Sequence, residues 1–417
     1  VVYNSREPQD NIHMLQQIIH RLLKRRHFWR YATFGEIAEL YASRLLNVFA
    51  IRFVLVFVSV YLYKLDYDLV FIALFWAVYY LLKAVFSWPS AKLAAHFGPK
   101  HGLLYANFVF AAAMGFLFFT EQFGIWVLAL WCVFHSFSGA LNNLCYKIDF
   151  SKVKHAEHAG KEIGYMNIVE RISGAASPLL GGIVASLFGP PAAMVLAGIF
   201  FLCSALPLLR TAEPTKLRQH LKFRGFPWRQ TWRSYPAEAA IGLDIFASGT
   251  VWAIFIAAVV FAADGQEIYA KIGVLTSITF AVVLLASYLF GRLIDHRQGR
   301  LLLKSMVFIN AFTHLVRPTV SSGLGVVTTN AANDMATTGY TMAFTRGEFD
   351  TADVTGFRIV YLALMEAALN FGAFLAALCL AWACWTFQTQ SALSLFYVLT
   401  AGAVLLIATP RFGLYRR

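Results

Sequence analysis

The chain of 417 residues is 59% hydrophobic, 16% aromatic and only 14% charged, with a mean hydropathy of +0.60. Soluble domains carry about 25% charged residues, so this composition excludes an ordinary soluble enzyme or binding module. The formal net charge of +13 is spread over the joints between apolar stretches and does not form one patch, which excludes a nucleic-acid partner and matches the excess of Lys and Arg on the inner side of membrane proteins.

In chain order, residues 1–41 form a polar N-terminal segment. Within it Leu15, Ile18, Ile19, Leu22 and Leu23 recur at helical spacing among Arg21, Lys24, Arg25 and Arg26. This pattern predicts an amphipathic helix over Asn11 to Trp29, lying on the membrane surface and held by apolar burial and anionic headgroups. Its charges follow and interrupt the apolar residues, unlike those of a cleavable signal peptide. Apolar stretches then follow at 42–63, 69–90, 102–119, 123–145, 164–186 and 191–209, and again at 237–262, 268–290, 301–317, 320–343, 357–382 and 388–409. A bilayer core about 30 Å thick takes roughly 20 residues of helix, so each stretch is predicted to span it.

The expected fold is an all-α polytopic membrane protein of twelve transmembrane helices in two six-helix halves. The halves are 42–210 and 237–409, joined by a basic linker over 211–236 and followed by a tail at 410–417. The linker holds Lys216, Arg218, Lys222, Arg224, Arg229 and Arg233, and an even count of spans puts both chain ends on its side. That side is predicted to be cytoplasmic, because opposite joints such as Thr120 to Phe123 and Gly189 to Pro191 carry no Lys or Arg. Cys132, Cys145, Cys203, Cys379 and Cys384 lie in or beside apolar spans without metal-ligand spacing and read as unpaired packing residues.

Polar side chains inside apolar spans cost about 2.5 to 3.5 kcal/mol at a helix centre on insertion scales and face a cavity or each other. Span ten carries Asn330, Asn333, Asp334, Thr337 and Thr338 at spacings of three and four. Span four carries His135, Ser138 and Asn142, span one carries Arg44, Asn47 and Arg52, and span seven carries Asp244 and Ser248. Asp244, Asp334 and Glu366 are candidate proton-binding groups. Arg52 and Arg317 are candidates for their countercharges or for an anionic substrate group, while His135 and His314 suit a proton relay. Pairing of these charges simply to make burial tolerable is the competing structural reading.

Span eight runs into Gly291-Arg292-Leu293-Ile294-Asp295-His296-Arg297-Gln298-Gly299-Arg300. This resembles the loop signature of the major facilitator superfamily, with one extra residue between Asp295 and Gly299. The equivalent joint of the first half, Ala91 to Lys100, keeps Gly98 and a base but has Ala95 in place of the acid. Ser173, Gly174, Ser177, Pro178, Gly181 and Gly182 in span five are similar to the family's glycine-proline signature, often associated with antiporters. The resemblance implies a cytoplasmic gate built on Gly291, Asp295, Arg297 and Arg300. It also implies a central cavity lined by spans one, four, seven and ten, to which Asn47, Arg52, His135, Asn142, Asp244, Arg317, Asn330, Asn333, Asp334 and Glu366 are assigned.

Neither a glycine-rich phosphate loop nor a metal-ligand cluster is visible, so no catalytic residue, cofactor or resident metal is expected. The reading is a monomeric secondary active transporter of the bacterial inner membrane. It moves a small polar or amphiphilic molecule, with protons or another ion as coupling partner and membrane lipids as its surroundings, export or exchange being favoured over uptake. The alternatives are a lipid flippase or scramblase working in the groove between the halves, and a membrane sensor without transport.

Overall fold

The computed structural model describes residues 34–153, 159–209, 221, 223–261, 267–278, 280–296 and 298–413. The amphipathic segment at Asn11 to Trp29, Arg297 and residues 211–220 and 222 of the basic linker lie outside these residues. The described residues are almost entirely helical and contain no strand. The first six predicted spans correspond to Phe34–Lys64, Leu69–Phe97, Pro99–Phe118, Ile125–Val153, Ala159–Phe188 and Pro190–Ala205. The last six correspond to Ser234–Val260, Glu267–Ile278 with Phe280–Asp295, Gly299–Val316, Gly323–Thr355, Arg358–Thr386 and Thr389–Val404. They are called spans one to twelve below.

Among the described residues nine of these helices are long and apolar enough to cross a membrane. Spans eight, nine and ten are the others, and span ten owes its polarity to its Asn, Asp and Thr side chains. Several helices run past the apolar stretch that predicts them. Span ten has 33 residues, so at 1.5 Å per residue it exceeds the roughly 30 Å of hydrocarbon and continues into the polar zone.

Local signals fix the helix ends. Asp68 Oδ1 accepts the Phe71 N–H at 2.6 Å and caps span two, and Ser322 Oγ accepts the Gly325 N–H at 3.2 Å at the start of span ten. Gly356 closes span ten with φ 73°, a left-handed turn that a side chain would oppose.

Span two packs along span eleven and span five along span eight, and these pairs join the halves. Small residues make the second contact possible: a Cβ on Gly182 would strike the Tyr269 carbonyl, and one on Gly273 would strike that of Pro178. Ser173 and Ser177 of span five donate to the carbonyls of Leu45 and Phe49, tying that helix to span one in its own half. Span seven is irregular, with π-helical turns over Phe246–Val251 and Ile256–Val260 on either side of a short α-helical stretch. Large apolar side chains cover the outside, among them Trp126 at 79% and Trp385 at 82% exposed. Water would not tolerate such a surface, whereas lipid and its interface do.

Candidate functional site

A central cavity of about 320 Å³ lies between the halves. Its wall comes from span one (Arg52), span two (Tyr80), span five (Arg171, Gly174), span seven (Asp244, Ser248, Trp252), span eight (Ile272, Val283), the turn after span nine (Arg317) and span ten (Asn330, Asn333, Asp334, Thr337). The π turns of span seven begin two residues after Asp244 and carry Ser248, Gly249 and Thr250 into this wall.

Asp244 is the hub of the wall on the side of the second half, and it is fully buried with His314, Asn310 and Tyr340. His314 Nε2 lies 2.6 Å from Asp244 Oδ1, and Ser248 Oγ donates to the same oxygen at 3.0 Å. The other carboxylate oxygen accepts from the Tyr340 hydroxyl, from Thr337 Oγ1 at 3.4 Å and from Asn310 Nδ2 at 3.5 Å. Arg317 Nη1 lies 3.2 Å from His314 Nδ1 and donates to Ser248 Oγ at 3.1 Å. A guanidinium can only donate, so His314 accepts at Nδ1 and its Nε2–H points at Asp244. The imidazole is thereby held neutral between a cation and a carboxylate. Arg317 also lies over the Trp252 ring at 4.8 Å, and Trp252 Nε1 donates to Asn330 Oδ1 at 2.6 Å.

Across the cavity, Arg171 of span five lies 3.8 Å from Asp334 of span ten, an ion pair between the halves. Asn333 Oδ1 lies 3.1 Å from Ser248 Oγ. Asp244, Arg317, Asn330, Asn333, Asp334 and Arg52 therefore share one wall.

Asn47, His135 and Asn142 do not reach it. They turn into the first half, where Asn47 and Asn142 donate to Asn107 Oδ1 at 2.8 and 3.4 Å, and Asn142 Oδ1 accepts from Arg44. His135 Nδ1 lies 3.0 Å from the Tyr79 hydroxyl, and its ring stacks on Trp131. Span four thus contributes no residue to the cavity wall, because its His135 and Asn142 side chains are satisfied by helices of their own half.

Glu366 belongs to a second polar cluster nearer the end of the bundle that carries both described chain ends. Lys147 of span four lies 3.1 Å from Glu238, 3.4 Å from Glu348 and 3.8 Å from Glu366, side chains of spans seven, ten and eleven. Asn143 donates to Glu366 at 3.3 Å, and Lys83 of span two lies 4.0 Å from it. All three glutamates are buried, so one ammonium of the first half holds together three helices of the second. Lys83 stands inside an apolar span, which is itself a signal. Lys147 and Glu348 lie just beyond the predicted spans, yet Asn143 and Lys147 are four apart and share a helix face.

Of the expected gate residues, Gly291, Asp295 and Arg300 fall among the described residues. Gly291 packs against Gly164 of the other half, where a Cβ on Gly164 would sit 3.8 Å from the Gly291 Cα. Asp295 ends the helix Phe280–Asp295, and Arg300 opens the next with Lys304 beside a surface groove lined by Trp232, Arg233 and Arg411. Among the described residues no three His, Cys, Asp or Glu side chains converge as a metal site.

A sequence model described as the Major Facilitator Superfamily matches residues 40–346. No curated protein sequence matches the chain. Among solved structures, the Escherichia coli fucose:proton symporter FucP superposes with a TM-score of 0.63 at 11% identity, covering 89% of this chain and 97% of that one. A bacterial homologue of the iron transporter ferroportin, in an outward-facing state with soaked iron, gives 0.63 at 13% identity, covering 93% and 100%. At such identities the likeness speaks for the fold alone, while the match over residues 40–346 speaks for the family. This chain is an integral membrane protein and belongs to the major facilitator superfamily.

Proposed function

We propose that the protein is a proton-coupled secondary active transporter that moves a small polar or amphiphilic solute by alternating access, in export or exchange. Its chain ends and basic linker lie in the cytoplasm, and its membrane is the inner membrane of a bacterium. The observation that carries this reading is the Asp244–His314–Arg317 chain in the cavity wall. A proton that reaches His314 can only settle on Nδ1, where the Arg317 guanidinium sits. Protonation therefore expels Arg317 from the imidazole, and deprotonation readmits it. Since Arg317, Ser248 and Trp252 all border the solute space, this exchange changes the wall that a solute meets.

Opening and closing then rests on the contacts between halves, and the Lys147 cluster supports closure toward the cytoplasm in this conformation. Asp295, Arg297 and Arg300 are the loop part of the same gate. The test is flux in proteoliposomes. A solute that stabilises the purified protein should move faster under an imposed proton gradient, and its movement should acidify or alkalinise the lumen in proportion. Movement of labelled lipid in vesicles without solute, or solute binding without flux, would replace this reading by a flippase or a sensor.

A further inference from the structure

We infer that the transported solute is a small organic monoanion whose charged group is held by Arg52, a proposal that rests on the transporter reading of the same cavity. The wall holds three arginines, Arg52, Arg171 and Arg317, against two aspartates, Asp244 and Asp334. Asp244 is engaged by His314 and its hydroxyl and amide donors, with Arg317 bound into the same chain through His314 and Ser248. Arg171 faces Asp334 at 3.8 Å. The other acid near Arg52, Glu170, is taken by Arg44 at 2.7 Å. Arg52 itself has no hydrogen bond or ion pair among the described residues, and it is half-buried and lines the cavity. One uncompensated cation thus stands in a membrane-embedded cavity, an expensive arrangement unless a ligand brings the missing charge.

The surroundings fit such a ligand. Gly174 of span five makes room for the guanidinium, since a Cβ there would come within 2.7 Å of Arg52 Nη1. A planar guanidinium without a protein partner is the shape that binds a carboxylate or phosphonate through two parallel hydrogen bonds. Leu55, Val56, Tyr80 and Ile256 supply an apolar wall for the organic body. The cavity volume of about 320 Å³ suits a single-ring or short-chain molecule and has no room for lipid acyl chains.

The experiment is a thermal-stability screen of the full chain with small organic anions, each beside its neutral isostere: benzoate with benzamide, lactate with lactamide, methylphosphonate with its dimethyl ester. The same pairs are then tested for counterflow in phosphatidylcholine vesicles. Anions should stabilise and exchange while their neutral partners do not. Arg52→Gln should weaken the response roughly ten-fold or more, the scale of one lost charge-assisted contact, with Arg52→Lys intermediate. The unliganded Arg52→Gln protein should melt at or above the parent temperature, because it loses an unpaired cation; this separates lost binding from misfolding. Gly174→Ala should weaken anion binding in the same direction by displacing the guanidinium.

The proposal is overturned if no anion of the panel stabilises the protein, if neutral or cationic solutes do so instead, or if Arg52→Gln responds like the parent. Labelled phosphatidylglycerol moving in place of soluble anions would overturn it as well. Counterflow of a neutral solute would sink the anion assignment and leave the transporter, whereas anion binding through Arg52 without counterflow would sink the transporter and leave the site.

Discussion

His314 Nε2 sits 2.6 Å from Asp244 Oδ1, and both side chains are completely shielded. The pair joins span seven to span nine beside the cavity, and Arg317 completes it from the far side of the imidazole. Charge balance in this chain depends on the carboxylate: without it, a guanidinium remains in a low-dielectric wall with no countercharge.

Asp244→Asn is therefore expected to destabilise the protein by about 3 to 5 kcal/mol, the range for breaking a buried ion pair from one side. It should also abolish gradient-driven accumulation while leaving solute exchange measurable. The double variant Asp244→Asn/Arg317→Gln should recover part of the stability, since it removes the stranded cation. Accumulation at the parent level in Asp244→Asn would remove Asp244 from proton coupling.

Lys147 meets three glutamates of the opposite half and so ties the two halves together near the chain ends. Lys147→Gln leaves those carboxylates facing one another, with Lys83 as the remaining nearby ammonium. The expected outcome is a shift toward the conformation open at that end, read as faster labelling of a cysteine placed at the buried Ser151. Asp295→Asn should act in the same direction with a smaller effect. A larger effect for Asp295→Asn would locate the main latch in the loop and make the Lys147 cluster a packing device.

Orientation follows from the same map. A cysteine at the exposed Arg229 should resist an impermeant reagent added outside intact cells, while one at the exposed Gln122 should react. The reverse pattern would invert the assignment of the basic face to the cytoplasm.

The helices were legible because lipid leaves no alternative to long apolar runs with internally satisfied backbones. Asp244, Asn333 and Asp334 were legible for the related reason that polar groups at those depths need an aqueous or polar neighbour. Periodicity alone does not say which neighbour. The stripe of span four has the same spacing as that of span ten, yet Asn142 meets Asn107 and Arg44 inside its own half. Nor does a sequence tell which charges meet: Lys147 lies 91 residues from Glu238 and 201 from Glu348. Lys147 and Glu348 lie where the helices outrun their apolar cores, so a membrane-thickness rule cuts them off. His314 and Arg317, three apart, carried the signal of one helix face, but Tyr340 and Asn310 become site residues only through folding.

The π turns of span seven have a consequence for movement. Each holds an additional residue relative to an α turn, and an inserted residue rotates everything beyond it by roughly 100° about the helix axis. Were the turn over Phe246–Val251 to relax into α geometry, Trp252 would swing off Asn330 and out from under Arg317 while Asp244, on the other side of the turn, stayed in register with His314. Relaxation of this one turn would thus re-aim the Trp252 end of span seven without disturbing the Asp244 end.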